Sequence, residues 1–288
     1  MPDKRVIARH IRPLAPIPTS LSPSGKITDR ICCVLFDIYG TLFISASGDI
    51  GISTKKDKNI KRLAGLLDKY NIKEDPERLQ DNLWKAVRAD HEKSRKKGAD
   101  FPEIRIEQLW MQVLDINDPD LVKNFAIEYE WLVNPVYPMP DLAKMLGELK
   151  QMNILTGIIS NAQFYTPFLF EWLLGSSMEH LGFEKDLTFF SCDIGCAKPS
   201  RTIFNRALKS LERKKIAPGA TLYVGNDMLN DICPAARAGM KTALFAGDAR
   251  SLRLRPGHIE CHGLSADLVV TELMQVPAHI RAAGKDCY

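Results

Sequence analysis

The chain has 288 residues, of which 45% are hydrophobic and 26% are charged. This composition is typical of a folded globular protein and excludes a disordered or collagen-like chain, and the length allows one large domain plus a smaller one. No run of about 18 apolar residues occurs, so the sequence predicts no membrane-spanning helix and no membrane partner.

The N-terminal segment 1–30 carries the excess positive charge. Six Lys or Arg and two Asp give it a formal charge of +4, equal to that of the whole chain, so residues 31–288 are formally neutral. Its five prolines predict an extended arm, which packs along the body of the protein or onto a partner chain. Because no aromatic residue is interleaved with the basic ones, we expect no nucleic-acid partner.

The cysteine content bears on the cellular location. The chain has seven cysteines, an odd number, and its first residues lack the charged-then-apolar pattern of a signal peptide. Both observations favour reduced thiols, so we expect a cytoplasmic protein.

A buried strand is predicted over residues 31–36, where Ile-Cys-Cys-Val-Leu-Phe runs directly into Asp37. A turn with Gly40 and Thr41 follows. The pattern places a carboxylate at the carboxyl end of a buried strand, where ligands bind in open α/β sheets. Such an aspartate acts either as a nucleophile or as a cap of the turn, and this segment alone does not distinguish the two roles.

The next strand-like run, residues 154–160, lies too far along the chain for a simple loop to precede it. Apolar residues between the two runs recur at helical spacing, in groups that begin at Ile60, Leu79 and Leu121. We therefore predict a helical cap domain at residues 44–136, followed by a helix at 139–151 that leads back to the sheet.

From residue 154 onward, strand and helix patterns alternate, which predicts an α/β fold with a mostly parallel sheet. The core is predicted at residues 31–43 and 137–288, with the all-helical cap inserted between them. Predicted strands are 154–160, 187–191, 221–225, 241–246 and 267–271. Predicted helices are 163–174, 200–213 and 230–239.

Polar residues stand at the ends of the later strands. Ser160 and Asn161 follow one strand, where a hydroxyl and main-chain N–H groups suit an oxyanion. Lys198 precedes a predicted helix, where its ammonium can neutralise a bound anion. Asp227 and Asp231 crowd the end of another strand and repel each other unless a cation or a lysine lies between them. Oxygen ligands of this kind are those that Mg²⁺ prefers.

In this order the four segments resemble the four signature motifs of the haloacid dehalogenase-like (HAD) hydrolase superfamily. The resemblance covers residues 31–43 and about 154–246, and the helical insert is similar to the C1-type cap of that family. It implies a Rossmann-like core with the active site at the carboxyl ends of the strands.

The resemblance also implies a role for each residue. Asp37 is the implied nucleophile, and Lys198 steadies both Asp37 and the substrate anion. Thr41, Ser160 and Asn161 bind oxygens of the transferring group. The implied magnesium ligands are Asp37, the main-chain carbonyl of Tyr39, Asp227 and Asp231, with Asn226 close by. Either Asn226 or Asp227 fills the first acidic position after Gly225, and we favour Asp227.

Tyr39 departs from the pattern of the family's phosphatases. Those enzymes carry a second Asp at this position, which is the acid for the leaving group and the base for water. Tyr39 keeps the main-chain carbonyl but removes the carboxylic acid, a loss that typically costs about 10²–10⁴-fold in rate. A phenol has a pKa of about 10, so Tyr39 can donate a proton but is a poor base at neutral pH.

The pattern Asp-x-Tyr-Gly-Thr also resembles the first motif of the 2-haloacid dehalogenases, which need no Mg²⁺. Against that alternative, Phe204 stands where their lysine motif has a Tyr, and Asp227 with Asp231 is a phosphatase-like pair. Arg62 is a candidate for the arginine that their cap supplies. We predict a magnesium-dependent phosphatase acting on a small, anionic, phosphorylated metabolite. The alternatives are a metal-independent 2-haloacid dehalogenase-type hydrolase and a non-catalytic binding protein.

Two further segments are candidates for substrate contacts. Residues 101–105 overhang the site or merely connect two helices. Arg250, Arg253 and Arg255 follow a predicted strand and either face the site opening or form a solvated basic loop, and we favour the solvated loop.

Overall fold

The computed structural model describes residues 4–47 and 56–285. The strands, in chain order, are β1 Ser24–Gly25, β2 Cys33–Phe36, β3 Phe43–Ser45, β4 Val136–Pro138, β5 Leu155–Ser160, β6 Phe183–Phe190, β7 Thr221–Gly225, β8 Lys241–Phe245 and β9 Leu268–Val270. The α-helices are α1 Lys4–Ile7, α2 Lys56–Lys69, α3 Pro76–Lys96, α4 Ile106–Leu114, α5 Pro119–Val133, α6 Leu142–Gln151, α7 Phe168–Leu174, α8 Ser191–Ile194, α9 Arg201–Arg213, α10 Cys233–Arg237 and α11 Gln275–Lys285. Short 3₁₀ turns lie at Pro218–Ala220 and Ile259–Cys261, and a π-helical turn lies at Met228–Ile232.

The main sheet has seven strands in the order β1-β9-β8-β7-β2-β5-β6. All neighbouring strands are parallel except β1, which pairs with β9 in the antiparallel direction. Alternate residues of β2 enter different apolar clusters, because Val34 and Phe36 pack on one face of the sheet and Cys33 and Leu35 on the other. Helices therefore cover both faces, and the predicted α/β fold with a mostly parallel sheet is confirmed.

The register of the central strands determines where the site lies. Phe36 of β2 pairs with Ile158 of β5 on one side and with Val224 of β7 on the other. The carboxyl ends of these three strands therefore meet at one edge of the sheet, and the residues that follow them converge there.

Two predicted elements begin more than three residues away from their predicted start. β6 begins at Phe183 rather than at 187, because it is an edge strand and its charged residues at 184–186 reach solvent. α7 begins at Phe168 rather than at 163, since the segment before it forms turns that end at Pro167.

The helices α2 to α5 share an apolar cluster of their own, with Leu79, Trp110 and Phe125 fully buried in it. The helical spacing we analysed did not identify α4 as a separate element. At the base of this helical unit, β3 and β4 pair as an antiparallel ribbon. We propose that the cap comprises residues 44–136, with this ribbon as its connection to the core.

The N-terminal arm packs along the body of the protein, one of the two placements that the sequence left open. Ile7 is fully buried, and Arg9 donates to the buried carboxylate of Glu128 in α5 at 2.7 Å. Further on, the main-chain N–H of Ile17 donates to Asp248 at 3.1 Å, and Thr19 donates its hydroxyl to the carbonyl of Ala246 at 2.8 Å. The arm therefore runs from a cap helix to the loop that follows β8.

Candidate active site

Asp37 lies at the end of the central strand β2, and the residue is 6% exposed. Its main-chain N–H donates to the carbonyl of Val224 at 2.9 Å, which continues the pairing with β7. Oδ1 accepts a hydrogen bond from the Ser160 hydroxyl at 3.0 Å and another from the Lys198 ammonium at 2.6 Å. Within the described residues Oδ2 accepts none. The carboxylate is therefore fixed through one oxygen while the other remains available to a ligand.

Lys198 bridges two buried carboxylates. Its Nζ lies 2.6 Å from Oδ1 of Asp37 and 2.6 Å from Oδ1 of Asp231. Burial by itself would lower the pKa of Lys198, but Asp231 and Asp37 outweigh burial, so the pKa is raised and the side chain stays charged. The sequence predicted a cation or a lysine between Asp227 and Asp231, whereas Lys198 lies between Asp231 and Asp37.

Asn161 holds the main chain of Lys198 in place. Its Oδ1 accepts from the Lys198 N–H at 2.6 Å, and its Nδ2 donates to the Lys198 carbonyl at 3.3 Å. The two bonds tie the end of β5 to the segment that carries the lysine. In this structure Asn161 and Ser160 thus hold Lys198 and Asp37 in position.

Asp231 is buried against the end of β7. Its Oδ2 accepts from the N–H of Asp227 at 2.9 Å, and Tyr223 places its hydroxyl 3.1 Å from Oδ1. A Cβ at Gly225 would lie 2.4 Å from Cγ of Asp231, so this position requires glycine. Burial raises the pKa of Asp231, and Lys198 opposes that effect.

Asn226 is fixed by two hydrogen bonds. Thr41 donates its hydroxyl to Oδ1 of Asn226 at 3.0 Å, and Nδ2 of Asn226 donates to the carbonyl of Ser251 at 2.6 Å. Thr41 is fully buried, so its hydroxyl serves to orient Asn226 in this structure. The amide oxygen of Asn226 therefore faces the turn that follows Asp37.

Asp227 pairs with Arg255. Nη2 of Arg255 lies 2.5 Å from Oδ2 of Asp227, and Nε lies 3.0 Å from Oδ1. The same carboxylate accepts from the N–H groups of Leu229 and Asn230 and so caps the π-helical turn. Asp227 is thus held by a bidentate arginine and by its own turn.

Tyr39 directs its phenol to Thr166. The hydroxyl forms a hydrogen bond of 2.9 Å with Thr166. Burial raises the pKa of Tyr39, so the phenol is a weaker acid than tyrosine in water and the phenolate that could act as a base is scarcer at neutral pH.

A model of the haloacid dehalogenase-like hydrolase family matches residues 31–239. The chain belongs to this family of hydrolases. Two relatives are named glyceraldehyde 3-phosphate phosphatase. The protein from Methanothermobacter thermautotrophicus is 26% identical over 246 residues, which are 84% of this chain and 98% of the relative. The protein from Methanocaldococcus jannaschii is 29% identical over 210 residues, which are 73% of this chain and 82% of the relative.

The fold is similar to that of a 2-haloacid dehalogenase from Pseudomonas syringae pv. tomato. The two structures superpose with a TM-score of 0.53, at 22% sequence identity, over 88% of this chain and 99% of the other. This likeness establishes a shared HAD fold. None of the helices in residues 4–47 and 56–285 is long and apolar enough to cross a membrane.

The HAD site opens into a cleft of about 70 Å³ beside Asp37. The cleft has the dimensions of a small ligand group. Its lining residues are Asp37, Tyr39, Asn161, Lys198, Asn226, Asp227, Asn230, Asp231, Ser251 and Arg253. Arg253 thus faces the cleft, although the sequence favoured a solvated loop. Thr41 and Ser160 do not line it, and Arg62 is exposed on α2.

The loop at residues 101–105 packs against the segment that precedes Lys198. The N–H of Ala197 donates to the carbonyl of Phe101 at 2.8 Å, and the N–H of Glu103 donates to the carbonyl of Gly195 at 3.1 Å. The Glu103 carboxylate accepts from the hydroxyl of Ser191 at 2.6 Å. The segment is therefore a contact between the helical insert and the core, next to Lys198.

Sequence reasoning missed Tyr223, Ser251 and the pairing of Arg255 with Asp227. Tyr223 stands inside an apolar strand, and the hydroxyl of a buried tyrosine needs a polar partner, which is the signal that would have placed it near the site. Ser251 and Arg255 lie in a loop after β8 that no spacing rule connects to Asp37.

Proposed function

We propose that this HAD hydrolase is a magnesium-dependent phosphatase that acts on a small phosphorylated metabolite through a covalent Asp37 intermediate. The observation that carries the proposal is the asymmetric environment of Asp37, whose Oδ1 is held by Ser160 and Lys198 while Oδ2 accepts no hydrogen bond within the described residues. The names of the two relatives support phosphate esters as substrates, and glyceraldehyde 3-phosphate is the first one to test.

The ligand atoms available near Asp37 are oxygens, which Mg²⁺ prefers. The described residues contain no group of three or more His, Cys, Asp and Glu side chains that could hold a metal. Mg²⁺, however, is commonly bound through one or two carboxylates, with water and substrate phosphate completing its shell. We propose Asp37, the carbonyl of Tyr39 and the amide oxygen of Asn226 as its protein ligands, because Asp227 is occupied by Arg255. When bound, Mg²⁺ would supply positive charge to the phosphoryl oxygens.

Charge at the site gives a second argument for a cation. Asp37, Asp227 and Asp231 carry three negative charges, which Lys198, Arg253 and Arg255 balance. A neutral cluster offers no net attraction to a phosphate dianion, whereas a divalent cation in the cleft would provide it.

The protein residues perform two displacement steps. The Asp37 carboxylate attacks phosphorus, an oxygen–phosphorus bond forms, and the bond to the leaving alcohol breaks with its electron pair on the alcohol oxygen, which takes a proton from solvent. Water then attacks the same phosphorus and loses a proton to solvent, the bond between phosphorus and the Asp37 oxygen breaks, and inorganic phosphate leaves with the carboxylate restored. Lys198 neutralises Asp37 before attack and the phosphoryl oxygens during transfer.

Because residue 39 is a tyrosine, the proposed phosphatase lacks the second aspartate that the family's phosphatases carry at this position. Its phenol is hydrogen-bonded to Thr166, and burial raises its pKa, so we propose that it positions the turn rather than transferring protons. Turnover then depends on water for both proton transfers, and the best substrates are those with acidic leaving groups.

The absence of that aspartate also favours a second function. Cleavage of a carbon–halogen bond needs no protonated leaving group, so a 2-haloacid dehalogenase-type reaction at Asp37 is the alternative. The two reactions differ in their dependence on a metal and in the product that they release.

Hydrolysis assays on the purified protein separate these functions. Glyceraldehyde 3-phosphate, other phosphate esters and 2-chloropropionate are each incubated with Mg²⁺ or with EDTA, beside Asp37→Asn. We expect phosphate release that requires Mg²⁺ and is lost in Asp37→Asn. Chloride release that EDTA leaves unchanged would instead establish the dehalogenase-type reaction, and turnover of neither class would support a binding protein.

A further inference from the structure

Ser251 has a buried side chain beside the cleft. The residue is 1% exposed and lines the cleft beside Asp37. Within the described residues its Oγ has no hydrogen-bond partner. Leaving such a group unsatisfied costs about 1–3 kcal/mol, so a bound ligand or an ordered water is expected to offset the cost.

The main chain of Ser251 is held on several sides. Its carbonyl accepts from Asn226 at 2.6 Å, and its N–H donates to the carbonyl of Asp248 at 3.1 Å. A Cβ at Gly40, whose φ is +86°, would lie 2.4 Å from the Cβ of Ser251. Ser251 therefore packs directly against the turn that follows Asp37. Its main chain and Cβ, from which the hydroxyl extends, are held in place.

The loop that carries Ser251 is anchored to both the site and the N-terminal arm. The N–H of Arg253 donates to the carbonyl of Asn226 at 3.0 Å, and the N–H of Met228 donates to the carbonyl of Arg253 at 2.9 Å. On the other side, the N–H of Ala249 donates to the carbonyl of Ile17 at 2.8 Å. This loop lies beyond residue 239, where the match to the family model ends.

We propose that Ser251 is a substrate-binding residue whose hydroxyl donates to an oxygen of a tetrahedral oxyanion, such as a phosphoryl group, bound beside Asp37. The proposal rests on the proposed function and adds a contact that lies outside the four motifs. Arg253 lines the same cleft and places a positive charge near that group.

Ser251→Ala tests the proposal against a matched control. Ser210 is also buried, but its hydroxyl accepts from Arg213 at 2.8 Å on α9, away from the cleft. We expect Ser251→Ala to lower kcat/KM for the phosphate ester by about 10–100-fold, the usual effect of losing a hydrogen bond to a charged group. Its Tm should be unchanged or higher, because an unsatisfied hydroxyl has been removed. Ser210→Ala should instead lower Tm and leave kcat/KM unchanged.

Binding of inorganic phosphate and of orthovanadate can be measured without turnover, from the rise in Tm that each ligand causes. We expect a rise in the wild-type protein that is reduced in Ser251→Ala and retained in Ser210→Ala. An equal rise in wild type and Ser251→Ala, or no rise in the wild type, would overturn the proposal.

The two readouts distinguish failure of this inference from failure of the proposed function. Phosphate turnover with normal kinetics in Ser251→Ala would refute the role of Ser251 and leave the phosphatase intact. Oxyanion binding that depends on Ser251, in a protein that hydrolyses no phosphate ester, would support the contact and contradict the phosphatase.

Discussion

Lys198 places one ammonium 2.6 Å from Oδ1 of Asp37 and 2.6 Å from Oδ1 of Asp231. The three groups are almost completely buried. Two carboxylates this close to each other are stable together only because the lysine lies between them. Lys198 therefore stabilises the folded site and also fixes the position of the Asp37 carboxylate.

Replacing Lys198 by Met should affect stability and activity together. Two buried carboxylates would lose their shared cation, so we expect the free energy of unfolding to fall by about 3–5 kcal/mol. We also expect kcat to fall by at least about 100-fold, because the site loses a positive charge that is already oriented. Urea denaturation and initial rates measure the two effects. Lys209→Met, on the exposed face of α9, is the control that should change neither, and a Lys198→Met protein as stable and active as wild type would contradict this account.

Tyr39 offers a test of the missing acid and base. Tyr39→Phe removes the bond to Thr166, and we expect kcat to stay within about threefold because the phenol transfers no proton. Tyr39→Asp introduces the carboxyl group that the family's phosphatases carry, and we expect it to raise kcat for substrates with poor leaving groups by about 10-fold or more. Both variants are assayed on an alkyl and an aryl phosphate. A large loss in Tyr39→Phe confined to the alkyl phosphate would show that the phenol is the acid.

The hydrogen bonds of Glu128 predict that the free energy of unfolding depends on pH in the acid range. Burial would raise its pKa, but hydrogen bonds from His10, Lys69, Tyr70 and Arg9 prevail and hold the pKa at about 2. Because a glutamate in the unfolded chain has a pKa of about 4.3, the carboxylate stabilises the fold above that pH, and the contribution is lost as pH falls towards 2.

Glu128→Gln should therefore lower the free energy of unfolding by about 1–3 kcal/mol near neutral pH, and the difference from wild type should shrink steadily below about pH 4. Urea denaturation at a series of pH values measures it. Glu179→Gln replaces an exposed carboxylate and should show no such dependence. A difference that stays constant down to pH 2.5 would be inconsistent with the ion-pair network between the arm and α5.

Glu103 links the helical insert to the segment that leads to Lys198. We expect Glu103→Ala to release residues 101–105 and speed hydrogen exchange at the N–H groups of Glu103 and Ala197, because their partners belong to the same contact. We also expect kcat/KM to fall by about 10-fold. Exchange measured by mass spectrometry in wild type and in Glu179→Ala gives the comparison. Unchanged exchange in Glu103→Ala would show that the loop is held by its main chain alone.

The sheet was predictable because its strands are apolar runs that end in polar residues. The run before Asp37 and the run at 221–225 appear as strands with nearly the expected bounds. The edge strand β6 and the helix α4 were harder, because charged residues in an edge strand and a short helix within a long insert weaken the periodic signal.

The candidate site was predictable only where residues follow strands. Asp37 and Asp231 converge because β2 and β7 end at one edge of the sheet, and Lys198 reaches them from the segment between α8 and α9. The ion pair between Asp227 and Arg255 was not predictable, because it joins the segment after β7 to a loop 28 residues away through a side-chain contact. The unsatisfied hydroxyl of Ser251 depends equally on tertiary packing.

The covalent intermediate on Asp37 is the central claim, and mass spectrometry of the enzyme during turnover tests it most directly. The protein is mixed with glyceraldehyde 3-phosphate and Mg²⁺, quenched in acid within milliseconds, digested and analysed for phosphorylated peptides. The account predicts a phosphoryl group on the peptide that contains Asp37 and none in Asp37→Asn. Phosphate release at the full rate with no phosphorylated Asp37, and undiminished in Asp37→Asn, would contradict it.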